Sequence, residues 1–206
     1  FMNQRGALGD IKLRQALIRA LDKETYCEVL LEGGATPGKA PVPPTLDFGF
    51  EELIDENAYD IEGAKVLLAE AGYVDINRDG FVETPEGNPL NLNFVIYTSP
   101  EELNVYAQAA EANLKDIGIK VTLNTVSYET LLDMRDSGNY DLLIWNVLVA
   151  NTGDPEKYLR ENWYSTSYSN TTGYNNSEVD RLLDELTKEY DAEMRKELII
   201  AVQQLI

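Results

Sequence analysis

Histidine is absent from the 206 residues of this chain, and cysteine occurs once, at Cys27. Nucleophilic Ser-His or Cys-His pairs, and zinc, nickel or iron sites with histidine ligands, therefore cannot be built from this chain alone. A single cysteine also excludes a disulfide within the chain. These absences remove most classes of enzyme, and we expect a protein that makes and breaks no bonds and needs no cofactor.

Basic residues are scarce, because 17 Lys and Arg stand against 36 Asp and Glu, for a formal net charge of −19. Affinity for nucleic acid rests on cationic side chains that displace counterions, so this balance argues against nucleic acid as a partner. Long apolar runs are missing too. No stretch approaches the roughly 18 apolar residues of a membrane-spanning helix, and the amino terminus lacks the pattern of a secretion signal.

The first part of the chain has helical periodicity interrupted by a proline-rich segment. Asp10 precedes an apolar ladder, which predicts a capped helix, and a second helical stretch ends near Gly33-Gly34. Four prolines between residues 35 and 46 predict an irregular surface loop. Tyr59-Asp60 begins another predicted helix. We therefore expect residues 1–89 to form a helical and loop portion that ends in the start of a hairpin.

From Leu90 onward the pattern becomes that of an α/β protein. Alternating apolar residues predict a half-buried strand after Leu90. Ser99-Pro100-Glu101-Glu102 has the form of a capping box with proline at the first helical position. Further elements follow with short connections: a strand at 120–126, a helix at 128–136, a strand buried on both faces at 141–149, a helix capped by Ser177 and a helix after Asp191.

This alternation of strands and helices predicts a parallel sheet flanked by helices over residues 90–206, the α/β ligand-binding portion of the chain. Ligands of such sheets lie beyond the carboxyl ends of the strands. Two loops are therefore candidate binding sites, one at Tyr97-Thr98-Ser99 and one at residues 150–155. The candidate ligand-binding residues are Tyr97, Thr98, Trp145, Asn146, Asn151, Thr152 and Asp154.

Several of these residues also have an ordinary structural interpretation. Trp145 on a buried strand is consistent with a core residue as well as with a residue that lines a cleft. Asn146 needs hydrogen-bond partners within an apolar strand, so it contacts either a ligand or a neighbouring loop. Asp154 precedes Pro155 and Glu156, and that order is typical of a helix N-cap. Capping is the favoured interpretation for Asp154.

Residues 75–86 match a calcium-loop pattern at every specified position. Asp75, Asn77, Asp79 and Glu86 supply the oxygen atoms that a hard cation requires, and Gly80 permits the sharp turn. The sequence after Glu86 is a turn and a strand instead of the second helix of a calcium-binding motif. A structural calcium ion is therefore one hypothesis, and a metal-free hairpin turn is the favoured alternative.

Five segments of the chain, in order, form a recognisable set: Arg14-Gln15-Ala16-Leu17 with Ala20-Leu21-Asp22-Lys23, Tyr59-Asp60 with Ala64-Lys65, Leu67-Leu68 and Ala71-Gly72-Tyr73, Leu114-Lys115-Asp116-Ile117-Gly118-Ile119-Lys120-Val121, Tyr140-Asp141-Leu142 with Asp154-Pro155, and Gly173-Tyr174-Asn175-Asn176 with Val179-Asp180 and Leu182-Leu183. Together they resemble the family 5 extracellular solute-binding proteins, which include dipeptide-, oligopeptide- and nickel-binding components of ABC importers. The resemblance covers the family's second lobe, and together with a helix still continuing at Ile206 it predicts that the chain is a fragment.

The resemblance implies a periplasmic-binding-protein-like lobe, part of a two-lobed clamshell that closes on a peptide or a nickel chelate. It also implies ABC permease subunits as partners and a location outside the cytoplasmic membrane, in the periplasm or lipid-anchored on the outer face. Peptide-binding relatives have an aspartate four residues before the proline, where this chain has Asn151. The alternatives are a receptor or chaperone clamshell without a transporter, and a hydrolase that uses acidic residues.

Overall fold

The computed structural model describes residues 1–150 and 153–206, and these fall into two compact units. The first unit consists of Phe1–Ala35 and Asn57–Trp145, and the second consists of Thr36–Glu56 and Asn146–Ile206. The first unit therefore continues across the boundary predicted between residues 89 and 90. The reason is that helices before this boundary share one hydrophobic core with the strands after it.

The first unit is an α/β structure with helices around a three-stranded sheet. In chain order its elements are a 3-10 turn (Gly6–Gly9), α1 (Ile11–Arg19), α2 (Lys23–Thr25) continued by a π turn (Tyr26–Leu30), α3 (Ile61–Glu70), β1 (Asn91–Tyr97), α4 (Glu102–Asp116), β2 (Lys120–Val126), α5 (Tyr128–Ser137) and β3 (Leu142–Leu143). The α/β architecture predicted from the sequence is confirmed.

In the first unit the predicted cap at Asp10 and the predicted helix start at Asp60 are confirmed, and the predicted capping box at Ser99 is wrong. The Asp10 side chain accepts a hydrogen bond from the Lys12 N–H at the start of α1, and Asp60 accepts one from Gly63 at the start of α3. The predicted capping box at Ser99 does not form, because α4 begins only at Glu102 without a side-chain cap. Residues 99–101 instead lie in a bend and turn before the helix.

The sheet has the strand order β2-β1-β3, and β1 pairs in parallel with both neighbours. Its central position buries β1 on both faces, so the prediction of a half-buried strand is wrong. Leu92, Phe94 and Ile96 lie in the core that α1, α3 and α4 share. Val95 and Tyr97 point to the opposite face, where they pack with Leu131 of α5.

The strand predicted at residues 141–149 is much shorter than expected. Only Leu142 and Leu143 pair with β1, and Val147 and Leu148 are exposed. The physical reason is that the chain leaves the first unit after Trp145, so it has no strand of the sheet beside it from Asn146 onward.

The second unit contains α6 (Glu156–Trp163), α7 (Ser177–Leu186) and α8 (Ala192–Leu205). Asn176, and not the predicted Ser177, caps α7, because its side chain accepts hydrogen bonds from the N–H groups of Glu178 and Val179. The buried core residues of the second unit are Leu159, Val179, Leu182, Leu183, Leu186, Ile199 and Val202. Among the described residues of both units, no helix combines the length and the apolar character that crossing a membrane requires.

Candidate functional site

The carboxyl ends of the three strands meet at one edge of the sheet, and aromatic residues cluster there. Tyr97 ends β1 and lies opposite Val126, the last residue of β2, while Trp145 follows two residues after β3. Tyr128 begins α5 directly after β2. We call Tyr97, Tyr128 and Trp145 the aromatic shelf. It lies at the edge of the sheet where the sequence predicted a ligand.

The rings of the aromatic shelf contact one another in series. The centroids of Tyr97 and Tyr128 are 5.6 Å apart, and those of Tyr128 and Trp145 are 6.3 Å apart with an edge-to-face geometry. Phe1 approaches Trp145 from another side, at a centroid distance of 6.4 Å. Tilted and edge-to-face contacts at these distances are favourable for aromatic pairs, so the shelf is a preorganised surface.

The middle ring of the series is the most exposed of the three. Tyr128 is 43% exposed, Trp145 is half-buried and Tyr97 is buried. Tyr128 therefore presents part of its ring to solvent, and the more buried rings of Tyr97 and Trp145 pack on either side of it. Such a surface suits a planar or apolar group, since the ligand loses little by leaving water and gains a close contact.

A single guanidinium group accompanies the shelf. The Arg135 Cζ atom lies 4.6 Å from the centroid of the Trp145 ring, which is a cation–π contact. The Arg135 Nε also donates to the Asp136 Oδ1 at 2.7 Å, so a neighbouring carboxylate compensates part of the charge. An arginine that a ring and a carboxylate hold in place is preorganised to hydrogen-bond an anionic or carbonyl oxygen.

The loop between β2 and α5 adds polar groups beside Tyr128. The Ser127 hydroxyl accepts a hydrogen bond from the Thr130 N–H and caps α5. A hydrogen bond from its own backbone N–H, and a weaker one from the Ser127 side chain, lower the pKa of the Glu129 carboxyl below its usual value.

The predicted ligand-binding residues have different locations. Tyr97 and Trp145 belong to the shelf, and Thr98 follows it as an exposed residue. Asn146 is exposed and belongs to the second unit, so the buried apolar setting predicted for it is wrong. Asn151 and Thr152 lie outside the described residues. A role for these residues in ligand binding stays a prediction.

Asp154 lies in the second unit, where both of its carboxylate oxygens have partners. Its Oδ1 accepts a hydrogen bond from the Glu156 N–H at 2.8 Å. Asp154 thus binds the first turn of α6, although the N-cap position itself belongs to Pro155 and not to Asp154 as predicted. The Asp154 Oδ2 accepts a hydrogen bond from the Arg195 Nη2 at 2.7 Å. Arg195 also binds Glu156 and the carbonyl oxygens of Leu186 and Glu189. This network fastens the start of α6 to the segment between α7 and α8.

The sequence interpretation missed Tyr128 and Arg135. Tyr128 could have been predicted from the sequence, because ligands of parallel sheets lie beyond the carboxyl ends of the strands and only one residue separates Tyr128 from β2. Arg135 had no comparable signal, because it lies in the last turn of α5 and only its contact with the Trp145 ring connects it to the shelf.

The predicted calcium loop has a compact, internally hydrogen-bonded structure. The Asp75 carboxylate accepts hydrogen bonds from the N–H groups of Arg78, Asp79 and Gly80. The side chains of Asn77 and Asp79 each accept one from the N–H two residues further on. Gly80 has a φ of +93°, a conformation that glycine adopts without strain. The oxygen atoms of the motif therefore stabilise the turn itself.

Glu83, which is not one of the four predicted calcium ligands, contacts the first part of this loop through its carboxylate. It is buried and accepts hydrogen bonds from the Ile76 N–H and the Asn77 amide, both at 2.7 Å, whereas Glu86 is exposed. Glu83 forms antiparallel bridges with Val74 and Pro89, as the hairpin interpretation requires. Within residues 1–150 and 153–206, no group of three or more His, Cys, Asp or Glu side chains is arranged to hold a metal ion.

Calcium binding by this loop stays a prediction that a melting experiment can test. A calcium site predicts that millimolar calcium raises the melting temperature of the protein and that Asp75→Asn removes the increase. The metal-free turn predicts the same melting temperature in calcium and in EGTA. Glu86→Gln serves as a second variant, because it removes the last carboxylate of the motif without changing the hydrogen bonds of Asp75. Thermal unfolding monitored by circular dichroism provides the measurement.

The parallel sheet flanked by helices is that of a periplasmic-binding-protein-like lobe. The family model of the bacterial extracellular solute-binding proteins, family 5 Middle, matches residues 1–170. The chain therefore belongs to the family 5 extracellular solute-binding proteins, as the sequence segments predicted.

Relatives with known names include two curated proteins and a solved structure. The chain is 31% identical to heme-binding protein A of Haemophilus influenzae and 27% identical to the periplasmic oligopeptide-binding protein OppA of Salmonella typhimurium, over 100% and 98% of its length. It spans 36% of each relative's own length. A nickel ABC transporter structure from Bacillus halodurans matches with a TM-score of 0.85 at 27% identity, over 100% of this chain and 42% of that chain.

Proposed function

We propose that this chain is part of the substrate-binding component of an ABC importer, which captures peptides or nickel chelates outside the cytoplasmic membrane and delivers them to the permease. The aromatic shelf is the observation that carries this proposal, because it combines a contact surface with the edge of the sheet where ligands of parallel α/β units lie. Its rings and hydroxyl groups supply aromatic and hydrogen-bonding contacts, which suits the binding of a ligand.

The chemistry of the shelf favours a peptide. The rings provide contacts for apolar or aromatic side chains, and Arg135 provides hydrogen bonds for a carbonyl or carboxylate oxygen. Nickel would have to arrive inside a chelator, since the chain has no histidine with which to bind it directly. The Haemophilus influenzae relative is named for heme, a planar molecule that could also pack against the rings of the shelf.

The rest of the parent polypeptide completes the site in this proposal. The chain spans only about a third of its curated relatives, and a ligand bound on an open shelf alone would remain largely in water. Covering the shelf would desolvate the ligand and strengthen its polar contacts. The proposed location is the periplasm or the outer face of the cytoplasmic membrane, and the proposed partners are the permease subunits of the importer.

Native mass spectrometry of the full-length parent protein, purified without added ligand, tests the proposal directly. We expect a retained peptide, seen as a series of adducts with the masses of short peptides, because a covered shelf releases its ligand slowly. Nickel isotope peaks together with a chelator mass would identify the nickel alternative, and a porphyrin mass would identify heme. Co-purification with permease subunits tests delivery.

A full-length protein that carries no adduct, and that also fails to bind a mixture of di- to pentapeptides, nickel-histidine or hemin in calorimetry, would contradict the proposed function. Turnover of any of these compounds would contradict it in another way, since a binding protein releases its ligand unchanged. Both measurements use protein that circular dichroism shows to be folded.

A further inference from the structure

Thr36–Glu56, which we call the strap, belongs to the second unit although the residues on either side of it belong to the first. The strap contains neither a helix nor a strand. Four of the eight prolines of the chain lie in it, so it has few N–H groups with which to form regular structure of its own. Contacts with another element must therefore define its conformation.

Two consecutive glutamines of α8 bind the backbone of the strap. The Gln203 Oε1 accepts a hydrogen bond from the Val42 N–H at 3.2 Å, and its Nε2 donates to the Phe48 carbonyl at 2.9 Å. The Gln204 side chain binds the N–H and the carbonyl of Ile54 in the same way, at 3.0 and 3.1 Å. Each amide thus pairs its donor and its acceptor with strap backbone, and Gln203 is only 4% exposed.

The same face of α8 supplies an ion pair and a close backbone contact. The Lys196 Nζ lies 2.7 Å from the Asp47 Oδ1. Gly49 approaches the helix so closely that an added Cβ would overlap the Ile200 side chain. Lys196, Ile200, Gln203 and Gln204 recur at three- and four-residue spacing, so they form one continuous stripe on α8.

We propose that the strap is a conformational latch, which docks on this α8 stripe and leaves it as one cooperative piece while α6, α7 and α8 stay folded. The polar contacts described above converge on three neighbouring side chains of one helix, Lys196, Gln203 and Gln204, so loss of one weakens the others. Three apolar side chains of the strap are buried, Val42, Phe50 and Leu53, and Phe48 packs partly buried against the core of α6, α7 and α8. These four are few compared with the 21 residues of the strap. Segments of this kind open at a lower free energy than the surrounding core.

Hydrogen exchange of the full-length parent protein, measured by mass spectrometry on proteolytic peptides, tests the latch. We expect peptides that contain the Val42 and Ile54 amides to exchange roughly tenfold faster than peptides from the middle of α8. The two strap peptides should also lose protection together at the same low denaturant concentration, well before α8 does.

Gly49→Ala and Gly33→Ala form a matched pair of variants. Both glycines have positive φ, +79° and +75°, so alanine introduces similar backbone strain at each position. Only at Gly49 would the new Cβ overlap α8, because no atom lies within 4 Å of a Cβ at Gly33. We expect Gly49→Ala to accelerate exchange of the strap at least tenfold with α8 still protected, and Gly33→Ala to leave strap exchange as in the wild type.

Exchange of the strap and α8 at one common rate in the wild type would overturn the latch, because the strap would then open only with the whole unit. Equal loss of protection in the strap and in α8 of Gly49→Ala would overturn it too. Gln203→Met provides an independent variant of similar volume that removes two of the hydrogen bonds. If Gly49→Ala does not fold, the wild-type rates and Gln203→Met decide the question.

Discussion

Trp145→Ala in the full-length parent protein is expected to weaken ligand binding about thirtyfold, or about 2 kcal/mol. Trp145 supports Tyr128, the exposed ring of the shelf, and it also holds the Arg135 guanidinium at 4.6 Å. Its removal therefore eliminates one ring contact and loosens two further groups. Calorimetric titration with the ligand that native mass spectrometry identifies gives the dissociation constants of the variant and the wild type.

Two control variants separate binding from general damage to the fold. Tyr168→Ala removes an aromatic side chain that is 95% exposed in the second unit, and it should bind like the wild type. Trp145→Phe keeps a ring in the shelf and should lose much less affinity than Trp145→Ala. Unchanged affinity in a folded Trp145→Ala protein would exclude the shelf as the ligand site.

Arg195→Met is expected to destabilise the protein by about 2 kcal/mol in the free energy of unfolding. The Arg195 side chain is 19% exposed, and it binds two carboxylates and two backbone carbonyls. Its removal leaves the Asp154 and Glu156 carboxylates without their cation, while the methionine keeps a similar volume. Hydrogen bonds from Arg195 to Glu156 and then Asp154 raise the pKa of its guanidinium, which reflects the same stabilisation. Urea unfolding measures the effect.

Arg181→Met is the matched control for this prediction. Arg181 also contacts two carboxylates, Glu178 and Glu185, but its side chain is 50% exposed and all three residues lie on α7. Exposed pairs of this kind contribute little, because water and salt screen them. We expect Arg181→Met to unfold at nearly the wild-type urea concentration. Equal midpoints for the two variants would show that the Arg195 network does not stabilise the fold.

The class of fold followed from local patterns in the sequence. Helical periodicity, the cap at Asp10, the helix start at Asp60 and the spacing of strands and helices all act over a few residues, so they could be recognised without knowledge of the tertiary contacts. The lack of histidine likewise restricted the chemistry of the chain without reference to any structure. The edge of the sheet that holds the shelf also followed, because parallel strands place their carboxyl ends together.

Burial of the strands was decided by the tertiary structure. The alternating sequence of β1 predicted one solvated face, yet β1 is the central strand and α5 covers its second face. The apolar run after Asp141 predicted a long buried strand, yet only Leu142 and Leu143 pair with β1. Strand order depends on which distant segments associate, and the periodicity of a single strand contains no information about its neighbours.

The sequence by itself determined the family and the α/β class, and it predicted the edge of the sheet where the aromatic shelf lies, because these depend on residue types and short-range spacing. The tertiary structure alone decided that Tyr128 and Arg135 join Trp145, and that Asp154 pairs with Arg195, 41 residues away along the chain. Contacts of that kind are set by packing between elements distant in sequence, where the chain offers many candidate partners and only the folded core selects one.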